Sequence, residues 1–202
     1  MKDAGSVPTP QPVRQVALLR GINVGRNKRV SMALLRRLLA DLGYADVVTY
    51  LQSGNAVFTS ASGPASAAQA IEQALAGGLG VESKVVVRSH AELVAAVDGD
   101  PLKEVATDPS RHLVGFLSAA PDAEHRETLV DLVGPQPDPD QCRIIGNHLY
   151  LWCPDGVLRS SFAKVDWNKR LGVTTTMRNW NTVTKLVDLS REYVEAASRY
   201  PA

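Results

Sequence analysis

The sequence predicts an α+β fold: two ferredoxin-like βαββαβ halves in tandem, each an antiparallel sheet with packed helices, plus a C-terminal helix. Three observations predict it. A continuous apolar run over residues 16–19 suits a central strand covered on both faces. Through residue 88 the patterns read strand, helix, strand, strand, helix, strand. After the turn-rich stretch Asp98-Gly99-Asp100-Pro101 the same order returns, with no repeat in the letters themselves.

In the opening unit Val16, Ala17, Leu18 and Leu19 form the strand, and Gly21 and Gly25 bracket a loop. Ser31 is placed to cap a helix, because its hydroxyl can accept from a free first-turn N–H. Leu35, Leu38, Leu39 and Leu42 give that helix one apolar face, and Gly43 is placed to end it in the left-handed conformation. Strands over 47–51 and 55–59 are rich in β-branched and aromatic residues, with Ser53-Gly54 as the hairpin signal between them. An alanine-rich helix spans 64–79, with Ile71 and Leu75 in its apolar stripe, and 85–88 is the fourth strand. A short helix over 90–97 follows, with Ser89 as its cap.

In the second half a strand is expected over 112–117, a helix over 122–133 and a proline-rich loop over 135–140. Strands over 142–145 and 149–152 flank Gly146-Asn147, a type II′ turn signal. The spacing predicts a helix over 161–171, stopped by Gly172, and a fourth strand over 173–177. The last helix follows Asn181, capped by Asn181 or Thr182, with Trp180 stapled back onto the Lys185-Leu186 turn. Its apolar positions are Val183, Leu186, Val187, Tyr193, Val194 and Ala197. The expected organisation is a disordered tail over 1–12, a first unit over 13–100 and a second unit over 101–202.

Composition excludes several classes. A chain of 202 residues with net charge +1 is too balanced to coat itself on nucleic acid or an acidic membrane. The segment 1–12 lacks the apolar core of a signal peptide, and no run approaches a membrane span. No membrane partner is expected, and the cytoplasm is the default compartment. Two cysteines, Cys142 and Cys153, are too few for a disulfide scaffold or a zinc site and are expected as small buried thiols. His90, His112, His125 and His148 are scattered, so no metal-ligand spacing is visible. Neither G-x-S-x-G nor H-E-x-x-H occurs, and no catalytic residue or cofactor is identified.

Three polar stretches carry the chemistry. Arg26, Lys28 and Arg29 precede a helix N-terminus, where free N–H groups and cationic side chains favour an anion. The glycine spacing there matches neither a dinucleotide fingerprint nor a P-loop. Gln52-Ser53-Gly54-Asn55 reads as a hairpin turn whose amides could also hydrogen-bond a base or sugar. In T-T-T-M-R-N-W-N-T-V-T-K-L over 174–186, Arg178 offers either a fork for carboxylate or phosphate, or a buried pair. Lys164, Asp166, Asn168, Lys169 and Arg170 lie on the expected helix over 161–171 as a charged face with Trp167 inward, and some of them could face the site.

Together, A-L-L-R-G-I-N-V-G-R-N-K over 17–28, T-Y-L-Q-S-G-N-A-V-F over 49–58 and T-M-R-N-W-N-T-V-T-K-L over 176–186 resemble the bacterial domain-of-unknown-function 1697 family. The resemblance implies α/β proteins with ferredoxin-like halves and brings no established activity. The family usually carries a second glycine after G-I-N-V-G; here that position is Arg26.

The expected function is binding of a small anionic ligand, a nucleotide or phosphorylated metabolite. The expected site combines Arg20, Asn23, Lys28, Gln52, Asn55, Arg178 and Asn179. Lys28 and Arg178 would hold the anion; Asn23, Gln52 and Asn55 would orient it. The alternatives are an enzyme on a phosphorylated substrate, with Lys28 or Asp166 moving the proton, a nucleic-acid-binding module, and a purely structural role. Nucleic acid is disfavoured because a base-stacking sheet needs aromatic residues on its central strands, and only Phe58 is available.

Overall fold

The computed structural model describes residues 11–24, 29–127 and 140–199. Strand β1 (Val13–Leu19) is the central strand that its apolar run requires, with Val16, Ala17, Leu18 and Leu19 fully buried. Helix α1 (Met32–Asp41) starts at Ser31, whose Oγ accepts from Leu34 N at 3.2 Å. It is followed by Gly43 at φ +81°. Strands β2 (Ala45–Tyr50) and β3 (Asn55–Ser60), helix α2 (Pro64–Leu79) and strand β4 (Val85–Ser89) complete the first sheet. Its order is β2-β3-β1-β4, antiparallel throughout. Helix α3 (His90–Asp98) follows directly, held by a reciprocal capping box between Ser89 and Glu92.

The second sheet is built from β5 (His112–Leu117), β6 (Gln141–Ile145), β7 (His148–Trp152) and β8 (Thr175–Asn179), with helix α4, described over Ala123–Glu127, and the short helix α5 (Trp167–Leu171) between strands. Its order is β6-β7-β5-β8, again antiparallel. Helix α6 (Trp180–Arg199) leaves β8 without a loop, as α3 leaves β4.

The two sheets repeat each other in register. On β1, Leu19 faces Val85, Val16 faces Arg88 and Leu18 faces Asn55. On β5, Leu117 faces Thr175, Val114 faces Arg178 and Phe116 faces His148. The closing bonds repeat too. Leu19 N donates to Gly54 O (2.8 Å) and Leu117 N to Asn147 O (3.0 Å). Arg20 N donates to Lys84 O and Ser118 N to Thr174 O, both at 2.9 Å. Arg88 therefore stands where Arg178 stands in the other sheet, His148 where Asn55 stands, and Ser118 where Arg20 stands. The exchange across the molecule is reciprocal: Arg88 Nη2 donates to Leu117 O, and Arg178 Nη2 donates to Leu19 O (2.9 Å).

One apolar cluster joins the sheets. Val16, Leu18, Val57 and Val86 of the first meet Val114, Phe116, Tyr150 and Trp152 of the second, with Leu93 of α3 and Leu186 of α6 filling the sides. On its other face the first sheet is covered by α1 and α2 through Leu35, Leu39, Ile71 and Leu75. Tyr150 Oη donates to Ala96 O at 2.8 Å, and burial pushes its hydroxyl up to about 12. Both cysteines are buried, Cys142 in β6 and Cys153 just beyond β7, and burial lifts Cys142 to about 12.

His148 gives the acid response of this junction. Burial, and then the neighbouring Arg88 charge, push it down to about 4. Its folded pKa lies below the unfolded value, so the unfolded chain binds more protons between those two values. Stability is therefore full above about pH 6.5 and falls as pH drops toward 4, by about 2 kcal/mol once the full linkage value of about 3 kcal/mol is reduced for the partial exposure of the residue. His148→Asn should flatten that part of a urea-denaturation profile against pH; an unchanged slope would contradict the assignment.

Three local expectations need correction. The helix expected over 161–171 is confined to α5. Residues 160–165 form turns, with Ala163 N bonded to Ser160 O and Val165 N to Phe162 O. Asp166 takes extended backbone, and its carboxylate starts the helix by accepting from Asn168 N (3.1 Å) and Lys169 N (3.3 Å). The last helix is capped by Asn179, not Asn181 or Thr182: Asn179 Oδ1 accepts from Thr182 N (3.0 Å) and Thr182 Oγ1 (2.7 Å). Trp180 is stacked on His112, ring centroids 4.5 Å apart, which accounts for its position without a staple on the Lys185-Leu186 turn. The tail over 1–10, Lys28, the helix over 128–133 and the proline-rich loop over 135–139 lie outside the described residues, as do the side chains of Tyr193, Val194 and Ala197.

Candidate functional site

Six of the seven residues singled out in the sequence are described, and five of them lie in or beside one network; Lys28 lies outside the described residues. Asn23 sits at φ +57°, a conformation that asparagine tolerates. Its Nδ2 donates to Val30 O (2.9 Å) and Gln52 O (2.7 Å), and its Oδ1 accepts from Val30 N (2.9 Å). One amide thus closes the glycine loop and fastens it to the hairpin. Gln52 takes part through its backbone carbonyl, with its side chain on an exposed residue. Asn55 is fully buried; its Nδ2 donates to Tyr50 O (2.9 Å) and Ser53 Oγ (3.1 Å).

Arg178 reaches this network from the other sheet. Its Nε donates to Asn55 Oδ1, its Nη1 to Met177 O (2.7 Å), and its Nη2 to Leu19 O (2.9 Å), Gly54 O (3.1 Å) and Ser53 O (3.2 Å). Four of the five acceptors belong to the first sheet and its hairpin. No carboxylate pairs with Arg178 among the described residues, and burial lowers its pKa to about 10, so it remains cationic at neutral pH.

Asn179 adjoins the network, but its side-chain oxygen is engaged in capping α6. Asn179→Ala should therefore lower stability by about 1 kcal/mol, whereas Asn179→Asp should keep it. Urea denaturation of both variants checks this; equal losses would contradict a capping role.

Beside Arg178 opens a polar cleft of about 560 Å³, lined among others by Arg20, Lys164, Asp166, Asn168 and Thr176. Arg20 and Lys164 are exposed at its mouth. Asn168 Oδ1 is held by Thr175 N at 2.9 Å, and Asp166 is engaged at the start of α5. Thr176 is 2% exposed, and its Oγ1 has no hydrogen-bond partner among the described residues. Among the described residues the lining thus carries three cations, Arg20, Lys164 and Arg178, against one carboxylate, Asp166. Such an excess favours an anion. Among the described residues no cluster of His, Cys, Asp and Glu could hold a metal ion.

Sequence reasoning missed Thr176, and placed Lys164 and Asn168 on a charged helix face of which some members could face the site, without selecting them. The signal for Thr176 was present: residues 176 and 178 share one face of any strand that contains both. Lys164 had no comparable signal, because the turns over 160–165 decide where it lies.

The sequence model of the family described as "Protein of unknown function (DUF1697)" matches residues 13–150. Among solved structures, a conserved bacterial protein, SP0830 from Streptococcus pneumoniae, is similar in fold, with a TM-score of 0.69 and 24% identity. The similarity covers 89% of this chain and 99% of that one. No curated protein matches.

Proposed function

The chain belongs to the DUF1697 family, and from that premise we propose that it binds a small anionic ligand, a nucleotide or phosphorylated metabolite, in the cleft beside Arg178. The observation that carries the proposal is a partly buried guanidinium with no carboxylate partner among the described residues, facing two exposed cations across a polar cleft. Arg20 and Lys164 attract the anion, Arg178 supplies fixed charge from below, and the Thr176 hydroxyl is an unengaged polar group on the same wall. Each unit, 13–100 and 101–202, is read as ferredoxin-like, with the cleft at their junction.

Thermal melts of the full chain at low salt, with nucleotides and phosphorylated metabolites, test this. A ligand at ~100 times its dissociation constant adds ~2.7 kcal/mol. For a chain of this length that is a rise of about 5–10 °C. The rise should vanish in Arg20→Ala and Lys164→Ala, whose own melting points stay unchanged because both side chains are exposed. No shift with any compound would overturn the proposal.

A second reading is favoured by a separate observation. The amides of Asn23 and Asn55, and most of the Arg178 N–H groups, are already engaged within the protein. These motif residues then act as the joint between the sheets, and the ligand is held by their neighbours. For the enzymatic alternative, Asp166 has its Oδ1 engaged at the α5 N-terminus, and Lys28 lies outside the described residues. The nucleic-acid alternative loses its platform, since Phe58 is buried and stacked on Tyr44 at 4.6 Å. It predicts binding that weakens steeply with salt.

A further inference from the structure

The register repeat gives the anion cleft a counterpart along β4. That cleft has a volume of about 530 Å³ and is lined by Glu72, Arg88, Glu92, Ser118 and Asn147, among others. Arg88 occupies the position of Arg178, and Ser118 that of Arg20. The walls correspond, but the chemistry does not.

Arg88 is 5% exposed and only partly satisfied. Nη1 donates to Val87 O (3.0 Å) and Nη2 to Leu117 O, while Nε has no partner among the described residues. A guanidinium has five N–H donors, so besides the buried Nε a second N–H on each of Nη1 and Nη2 is left over, among the described residues, on a side chain that lines the cleft. Arg178 fills the same capacity with Asn55, whose place here is taken by His148. His148 Nε2 is likewise buried without a partner among the described residues.

The acidic side differs as well. Both Glu72 oxygens are engaged, Oε1 by Val85 N (2.9 Å) and Oε2 by Lys84 Nζ (2.8 Å). Among the described residues Glu92 is engaged through Oε2, which accepts from Ser89 N (2.8 Å) and Ser89 Oγ (2.9 Å), leaving Oε1 to accept. With Glu72 paired to Lys84, the working charges of the cleft are Arg88 and Glu92, one of each sign. A plain anion would meet Glu92, and a plain cation would meet Arg88. A ligand carrying both charges a short distance apart satisfies both.

We infer that the β4 cleft is a second binding site, distinct from the cleft beside Arg178, that takes a small zwitterion of the amino-acid class. The ligand carboxylate accepts from the spare Nη1 and Nη2 N–H groups of Arg88. Its ammonium donates to Glu92 Oε1, and Asn147 stands at the rim. This assignment does not depend on the anion site.

The test is a titration of the isotopically labelled full chain with each free amino acid at constant ionic strength, read from amide and arginine Nε–H signals. Acetate and methylammonium serve as the separate halves. The expected result is saturable perturbation of Ser118, Asn147 and Arg88 by at least one amino acid, with both halves much weaker. The perturbation should persist in Arg20→Ala and Lys164→Ala, in which the anion site is disabled. Glu92→Gln keeps the reciprocal cap, because glutamine can make the same bond, yet should weaken binding by ~10-fold or more. Silence from every amino acid at these signals, acetate binding as well as the whole zwitterion, or an unaffected Glu92→Gln would each overturn the assignment. Perturbation confined to Arg20 and Thr176 would overturn this site while leaving the anion cleft standing.

Discussion

Replacing Arg178 by alanine is expected to lower stability by about 3–5 kcal/mol. For a chain of this length that is a fall in melting temperature of about 8–15 °C. The size follows from what is left behind. Asn55 is fully buried, and its Oδ1 loses the Arg178 donor. The carbonyls of Leu19, Ser53 and Gly54 lose a shared donor at the same time. Arg178→Lys should recover only a minority of the loss, since an ammonium cannot reproduce the planar fork that spans these acceptors. A loss below about 1 kcal/mol for Arg178→Ala would mean that the junction contributes little.

Gly54→Ala is expected to cost about 2–4 kcal/mol, from left-handed strain and overpacking together. Gly54 sits at φ +83°, and an added Cβ would lie 2.9 Å from Leu19 Cβ and 2.9 Å from Ile22 Cδ1. The Leu19 contact belongs to the central strand, so it cannot relax by rotating a distant side-chain end. Gly146 in the second hairpin is the control. Its φ of +56° is also left-handed, but nothing lies within 4 Å of its added Cβ. Gly146→Ala should therefore cost only about 1 kcal/mol. Equal costs at the two sites, measured by urea denaturation, would show that the close approach at Gly54 is unimportant.

Local signals made much of the fold legible. The buried run of β1, the Ser31 and Ser89 caps, and the left-handed Gly43 depend on residues within one turn of each other. Cap identity failed at α6 because Asn179, Asn181 and Thr182 are all competent cappers, and the end of β8 selects Asn179. The helix expected over 161–171 failed because Asp166 prefers to start a helix rather than continue one. For the candidate site, the sequence pointed to the correct stretches but not to their relation. Arg178 and Asn55 are 123 residues apart, and no local rule pairs them. The correspondence of Arg88 with Arg178 was equally hidden: it is a match of strand register, while the letters facing the two arginines are largely different.

The motif stretches are joined through the Arg178–Asn55 bond, which links the two sheets. A double-mutant cycle tests it most directly, using Arg178→Met, Asn55→Ala and the combined variant in urea denaturation. The expected coupling is about 1–3 kcal/mol, with the double variant hardly less stable than the worse single one. Strict additivity, with each loss independent of the other, would contradict it.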